Sequence, residues 1–125
     1  MLSKEEILKA DDLKTEIIEV PEWGGSVIIK AMTGKLRDEF EQDIVSGKKI
    51  KMSNIRAKLC QVSIVDGNGD LLFNTSDIVK LGGKSAAALD RCFSIASRLS
   101  GISKDDVEDL EKNSGKGQSE DSTSD

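Results

Sequence analysis

The chain has 125 residues and a formal net charge of −5 at pH 7, from 18 Lys and Arg against 23 Asp and Glu. This length fits one domain with a modest core. The basic residues form no stripe and aromatics are only 3% of the chain, so we expect no nucleic-acid partner. No apolar run approaches the roughly 20 residues that span a bilayer, and no signal-peptide core is present. The composition therefore predicts a cytoplasmic protein without membrane association.

The N-terminal part predicts a short helix or lead-in segment over residues 3–13, followed by a β-hairpin. Residues 14–20 and 26–32 are both rich in β-branched side chains. Between them lies the sequence PEWGG, in which the proline disfavours a strand and the two glycines permit a turn. This pattern predicts two antiparallel strands joined by a longer loop.

Both faces of the predicted hairpin carry apolar side chains. Strand alternation places Val27 and Ile29 on one face, and Ile28 and Met32 on the other. A lone hairpin is marginally stable, so we expect helices or a partner chain to cover both faces. This makes the hairpin the candidate partner-binding region. Its candidate contact residues are Trp23, Ile17, Ile18, Val27, Ile28 and Ile29.

Trp23 has two possible roles at the tip of this hairpin. Tryptophan is enriched in binding hot spots, which favours an exposed anchor for a partner. A lone large aromatic ring usually finds burial, which favours a ring folded back over the hairpin.

Helical periodicity dominates the rest of the chain. Thr33 is the expected N-cap of the first of these helices, and Ser76 and Ser85 are expected to cap two later ones. The residues from Val62 to Val65 are largely β-branched and fit a strand as well, but the upstream period of 3.6 favours helix to about residue 64. The expected helices cover 34–46, 53 or 54 to 64, 76–81, 85–100, and a last one from Ser103 through Leu110.

These elements predict an α+β fold, with an N-terminal antiparallel hairpin or small sheet packed with four or five α-helices. We expect one domain over residues 1–112. Residues 113–125 contain no apolar side chain, so they bury nothing that offsets their ordering entropy. This segment is expected to be a disordered acidic tail.

The sequence contains little apparatus for catalysis. It has no histidine and no tyrosine, and it matches no nucleotide-binding or nucleophile motif. Cys60 and Cys92 are isolated among apolar residues, where a free cysteine behaves as a small hydrophobe. We therefore expect no enzyme activity, no catalytic residue, no cofactor and no metal.

One alternative is a calcium-binding regulatory module in the 66–77 loop. Asp66, Asn68, Asp70 and Asp77 occupy positions one, three, five and twelve of an EF-hand pattern. Position six, however, is Leu71 rather than glycine, and position twelve lacks the longer glutamate. The competing interpretation is a tight turn, which the Asp-Gly-Asn-Gly-Asp sequence also predicts.

The order of these pieces resembles the tail assembly chaperones of long-tailed bacteriophages, over about residues 5–113. The individual matches are weak, and their order and spacing carry the resemblance. The matching segments are 20–25 (VPEWGG), 27–29 (VII), 32–38 (MTGKLRD), 65–73 (VDGNGDLLF), 81–90 (LGGKSAAALD), 99–101 (LSG) and 110–113 (LEKN).

The resemblance implies a non-enzymatic role in tail assembly. Such chaperones bind the long helical tape measure protein in the host cell cytoplasm and keep it soluble until the tail tube polymerises. They self-associate along it and are absent from the mature virion. The family often makes a longer frameshifted product that recruits the major tail tube protein. The Gly-Lys-Gly sequence at 115–117 fits a slippery codon run, which only the coding DNA can test.

Overall fold

The computed structural model of the chain describes residues 1–46, 49–50 and 54–102. Among these residues, a three-stranded antiparallel sheet packs with five α-helices, which confirms the expected α+β class. The elements in chain order are α1 (Lys4–Lys9), β1 (Thr15–Val20), a 3₁₀ helix (Pro21–Trp23), β2 (Gly25–Lys30), α2 (Gly34–Ile44), β3 (Val45–Ser46), β4 (Lys49–Ile50), α3 (Ile55–Gln61), β5 (Ile64–Val65), a second 3₁₀ helix (Thr75–Asp77), α4 (Ile78–Gly82) and α5 (Ala86–Leu99).

The N-terminal elements form as their sequence predicts. Ser3 and Glu6 complete a capping box: the Ser3 hydroxyl accepts from the Glu6 N–H at 3.1 Å, and the Glu6 carboxylate accepts from the Ser3 N–H at 2.8 Å. β1 and β2 then pair over six residues each. The loop between them is a 3₁₀ turn that ends at Gly24, whose φ of 75° explains the glycine there.

The third strand of the sheet was not expected. The sheet order is β1-β2-β5, and β5 pairs antiparallel with β2, with Ile64 opposite Ile29 and Val65 opposite Ile28. The predicted continuation of the preceding helix to residue 64 is therefore wrong, because α3 ends at Gln61. The β-branched pair forms a strand there because β2 offers a free edge for backbone hydrogen bonds.

The inner face of the sheet packs on α5 and forms the core. Three residues on this face, Val20, Ile29 and Ile64, have no exposed surface. Ile18 and Val27, also on this face, are half-buried and pack against the same core. The ion pair from Arg98 of α5 to Glu16 of β1, at 2.6 Å, ties the end of this helix to the first strand.

The longest helix forms where its periodicity and its Ser85 cap predict it. Ser85 caps α5 through the N–H of Ala88, at 3.3 Å, and Leu89, Cys92 and Ala96 are buried. Ala88 joins them in the core, because it lies on the same side of the helix one residue before Leu89.

The second helix is shorter than predicted. Thr33 accepts from the Leu36 N–H at 3.1 Å, as expected of an N-cap, but α2 ends at Ile44 rather than at residue 46. The backbone of Val45–Ser46 instead pairs with Lys49–Ile50 as β3 and β4. These two short strands form a small antiparallel ladder directly after α2.

Two smaller predictions also need correction. Met32 does not lie on the outer face of the hairpin: β2 ends at Lys30, the alternation ends with it, and Met32 is buried in the core. The cap before α4 is Asn74 rather than Ser76, because the Asn74 side chain accepts from the Ser76 N–H at 3.0 Å.

Several expectations fall outside the described residues. They are the helix from Ser103 to Leu110 and the acidic tail with the domain boundary at 112. Among the helices that the structure describes, none combines the length and apolarity of a membrane-crossing segment.

Replacing Ile29 with alanine tests the assignment of the inner face. We expect Ile29→Ala to lower the free energy of unfolding by about 3 kcal/mol, because a fully buried isoleucine loses its contacts and leaves a cavity. Urea denaturation measures the change. The control is Ile7→Ala in α1, where the side chain is 55% exposed and a change within about 0.5 kcal/mol is expected. Equal losses from the two variants would contradict this core.

Candidate functional site

A row of four apolar side chains crosses the outer face of the sheet, on the side away from α5. Residues directly opposite each other in antiparallel strands project to the same face. Ile17 lies opposite Ile28, Ile28 opposite Val65, and Val65 forms an isolated bridge with Leu71. These four residues form what we call the outer row.

Exposure falls from one end of the outer row towards its middle and rises again at the other end. Ile17 is 69% exposed, Ile28 is half-buried, Val65 is 4% exposed, and Leu71 at the far end is 36% exposed. Val65 is buried but does not belong to the core cluster, as expected for a residue covered by its neighbours on the outer face. The row is thus an apolar strip that is open to solvent at both ends.

Polar residues border the outer row on both sides. Thr15 lies opposite Lys30 on one side, and Glu19 lies opposite Ser26 on the other. The Lys30 ammonium group donates to the Gly69 carbonyl oxygen at 3.3 Å, which holds the 66–70 turn beside the row. An apolar strip with a polar border is the usual anatomy of a protein-binding surface.

The structure separates the six candidate contact residues into three groups. Ile17 and Ile28 belong to the outer row. Ile18, Val27 and Trp23 pack against the core while half-buried, and Ile29 lies wholly inside it. Of the six candidates, only Ile17 and Ile28 therefore lie outside the described core and its packing neighbours.

Trp23 lies beside a second apolar surface, an open groove of about 510 Å³. Its ring packs against the core, and its indole nitrogen is buried with no hydrogen-bond partner among the described residues. The groove is lined by Glu22, Trp23, Phe73, Asp77, Lys80, Leu81 and Lys84. The half-buried ring favours the folded-back role for Trp23, with one part of the ring left facing the groove.

An ion pair fixes the turn that carries this tryptophan. Arg91 of α5 donates to the Glu22 carboxylate at 3.1 and 3.3 Å. The hydrogen bond from Arg91 lowers the pKa of Glu22 below its ordinary value. Any stability from this pair is thus present at neutral pH and is lost as the pH falls through that lowered pKa.

The 66–77 loop forms a turn, in agreement with the second interpretation of its sequence. The Asp66 carboxylate accepts from the N–H groups of Asn68 at 2.8 Å and Asp70 at 3.1 Å. Asp77 instead accepts from the Asn74 N–H at 3.0 Å. No group of three or more acidic, cysteine or histidine side chains within the described ranges is placed to hold a metal ion. These carboxylates therefore have structural partners in the backbone.

The two cysteines face each other inside the core, between α3 and α5. Both are fully buried, and the Cys60 thiol also lies 3.7 Å from the Leu89 carbonyl oxygen. Its hydrogen bond with Cys92, together with burial, raises the pKa of Cys60. At neutral pH Cys60 is thus a packed thiol rather than a nucleophile.

Sequence reasoning missed half of the outer row. The helix favoured to about residue 64 left no strand at Ile64 and Val65, and neither Val65 nor Leu71 was among the candidate contact residues. The tight turn between Val65 and Leu71 is the sequence signal that could have predicted their pairing, since such a turn between β-prone segments is typical of a hairpin. Other exposed apolar side chains lie away from the sheet, among them Leu8 and Val79, both 76% exposed.

With its sheet, core and outer row defined, the chain has the fold of a phage tail assembly chaperone, which confirms the resemblance at the level of fold. One solved structure with this likeness is that of the bacteriophage HK97 tail assembly chaperone. The match has a TM-score of 0.56 at 17% sequence identity and covers 76% of this chain and 94% of that chain. No family model matches the sequence, and no curated protein matches it either.

Asp66 variants test the role of the loop. We expect Asp66→Ala to lower the free energy of unfolding by about 1–2 kcal/mol, because two backbone N–H groups lose their acceptor. Asp66→Asn, which keeps a carbonyl oxygen there, should retain most of the stability. Thermal denaturation should give the same result with calcium and with a chelator. Stabilisation of the wild type by calcium, lost in Asp66→Ala, would restore the calcium-binding interpretation.

Proposed function

We propose that this chain is a phage tail assembly chaperone that binds the tape measure protein. The observation that carries the proposal is the fold, which the chain shares with the HK97 tail assembly chaperone over 76% of its length. The outer row adds a second line of support, because its two ends, Ile17 and Leu71, are apolar side chains that remain exposed in the described structure.

The outer row suits a helical partner by its dimensions. Four neighbouring chain segments at about 4.8 Å spacing give a strip about 14 Å long. An α-helix rises 1.5 Å per residue, so about ten residues cover that length. An amphipathic helix places apolar residues at i, i+3 or i+4, and i+7 along one face. A helix of that length lying across the strands therefore reaches from Ile17 to Leu71, the two exposed ends of the row.

The net negative charge of the chain also supports the chaperone role. The chain carries a net charge of −5, and none of its acidic residues belongs to the outer row. A partner coated with such chains acquires a negative surface, which opposes aggregation in solution. In this proposal the apolar row binds the tape measure protein, and the charged remainder keeps the complex soluble.

We also propose where the chaperone acts and when it leaves the tape measure protein. The chaperone acts in the host cell cytoplasm, is displaced when the tail tube polymerises around the tape measure protein, and is absent from the virion. A longer frameshifted form, if the coding DNA contains the slippery run at 115–117 and an overlapping frame, recruits the major tail tube protein. A codon run at 115–117 that is interrupted, with no overlapping downstream frame, would remove this second partner.

Co-expression tests the binding role directly. The tape measure protein encoded beside this chain should move from the insoluble to the soluble fraction when the two are co-expressed, and should co-purify with it. Ile17→Asp should abolish most of that gain, because a charge replaces an apolar contact worth about 2 kcal/mol. Quantitative gels of soluble and insoluble fractions measure the effect.

The matched control is Val79→Asp, which adds the same charge at a similarly exposed apolar position on α4. It should leave the soluble fraction unchanged. A wild-type chain that neither solubilises nor co-purifies with the tape measure protein would contradict the proposed function. Equal loss from both variants would contradict the outer row as its binding surface.

A further inference from the structure

The groove beside Trp23 combines an apolar lining with two lysines that have no acidic partner in the described structure. Trp23, Phe73 and Leu81 supply the apolar lining. Lys80 and Lys84 line the same groove, and both are exposed. Neither lysine forms an ion pair within the described residues. The groove therefore offers positive charge beside apolar surface.

The two acidic residues that line the groove already have partners. Glu22 accepts from the Arg91 guanidinium group at 3.1 Å. Asp77 accepts from the Asn74 N–H at 3.0 Å. The lysine charges are thus the ones left for a ligand. The indole nitrogen of Trp23 also has no hydrogen-bond partner among the described residues, although a buried indole N–H usually has one. These features suit an acidic peptide segment that carries apolar side chains.

The net charge of the chain lies entirely after Ile102, the last residue that the structure describes. Residues 1–102 contain 15 Lys and Arg and 15 Asp and Glu, so their net charge is zero. Residues 103–125 contain 3 Lys and 8 Asp and Glu, a net charge of −5. Five of these eight acidic residues lie in the segment 105–111 (DDVEDLE), together with two apolar residues, Val107 and Leu110.

We infer that the segment 105–111 binds the groove beside Trp23 in the same chain and acts as a reversible cover over it. Val107 and Leu110 are three residues apart, so one helical turn places both on one face, towards the apolar lining. The acidic residues between and beside them then lie next to Lys80 and Lys84. The inference rests on the lining and charge of the groove and goes beyond the proposed function.

The path from the core to the groove is short enough for this segment. The chain leaves α5 through Gly101, whose φ is 75°, and the Ile102 N–H donates back into the last turn of the helix at 2.8 Å. Arg91, whose partner Glu22 lines the groove, lies about 12 Å before the end of α5. The five residues from Ile102 to Val107 span up to about 17 Å when extended. Val107 therefore reaches the groove while Ile102 stays buried.

Zero-length crosslinking of the full chain tests the contact directly. A carbodiimide joins a lysine to a carboxylate only when the two groups touch. We expect the peptide that contains residues 105–111 to be linked to Lys80 and Lys84 in preference to Lys35, as read by mass spectrometry. Lys35 is the matched control, because it is exposed and lies on α2 near the end of α5, where Arg37 donates to the Ser100 carbonyl oxygen at 3.4 Å.

The control separates docking from mere proximity. A segment that stays near its attachment at Ile102 would be linked to Lys35 at least as often as to Lys80 and Lys84, and that result would overturn the inference. The reaction is run on a mixture of unlabelled and ¹⁵N-labelled chains. Links within one chain are expected. Links that join a labelled to an unlabelled chain would place the segment on a neighbouring copy and would also overturn it.

Fluorescence gives an independent test, because Trp23 is the one tryptophan of the chain. We expect Leu110→Asp to raise the acrylamide quenching constant of Trp23 at least about 2-fold, since a charge replaces an apolar contact over the ring. Ser119→Asp adds the same charge outside the segment and should leave quenching unchanged. Raising the salt from about 0.1 to about 1 M should move the wild type towards Leu110→Asp, because the screening length falls from about 10 to about 3 Å.

A charge reversal on the groove side completes the test without altering the segment. The double variant Lys80→Glu, Lys84→Glu should give the same rise in quenching as Leu110→Asp, and Lys35→Glu should not. Quenching that is equal in the wild type, Leu110→Asp and the double variant would overturn the inference. None of these experiments includes the tape measure protein, so the cover and the proposed function can each fail while the other stands.

Discussion

The packing of α5 against one face of the sheet determines the arrangement of the rest of the molecule. The strands carry apolar side chains on both faces, but α5 covers only the side that holds Val20, Ile29 and Ile64. A three-stranded sheet is too small to be stable without such a cover. The face away from α5 keeps the outer row, whose end residues Ile17 and Leu71 are exposed, and these exposed ends are the physical basis of the proposed binding surface.

Several polar groups of the described residues have a structural role. The Cys60 and Cys92 thiols are buried between helices, and Asp66 holds a turn through backbone hydrogen bonds. Glu22 and Arg91 form an ion pair that ties the hairpin turn to α5.

The sequence predicted the elements that local interactions determine. The hairpin turn at Gly24 and the helix α5 with its Ser85 cap depend on residues close to each other in the chain, so local sequence patterns predict them. The third strand is different: Ile64 and Val65 form only two residues of strand, and they do so because β2 lies beside them. A two-residue strand is too short to show a period of two, and its pairing partner lies 35 residues away in the chain. The outer row was only half predicted for the same reason.

The central claim is that the outer face of the sheet, rather than its inner face or α1, contacts the tape measure protein. Isoleucine methyl groups report on all three regions in one NMR spectrum of a chain labelled at those methyls. Addition of a soluble tape measure fragment should shift the Ile17 and Ile28 signals most, with Ile29 and Ile64 changing little. Largest shifts at Ile7, with Ile17 and Ile28 unmoved, would contradict the account.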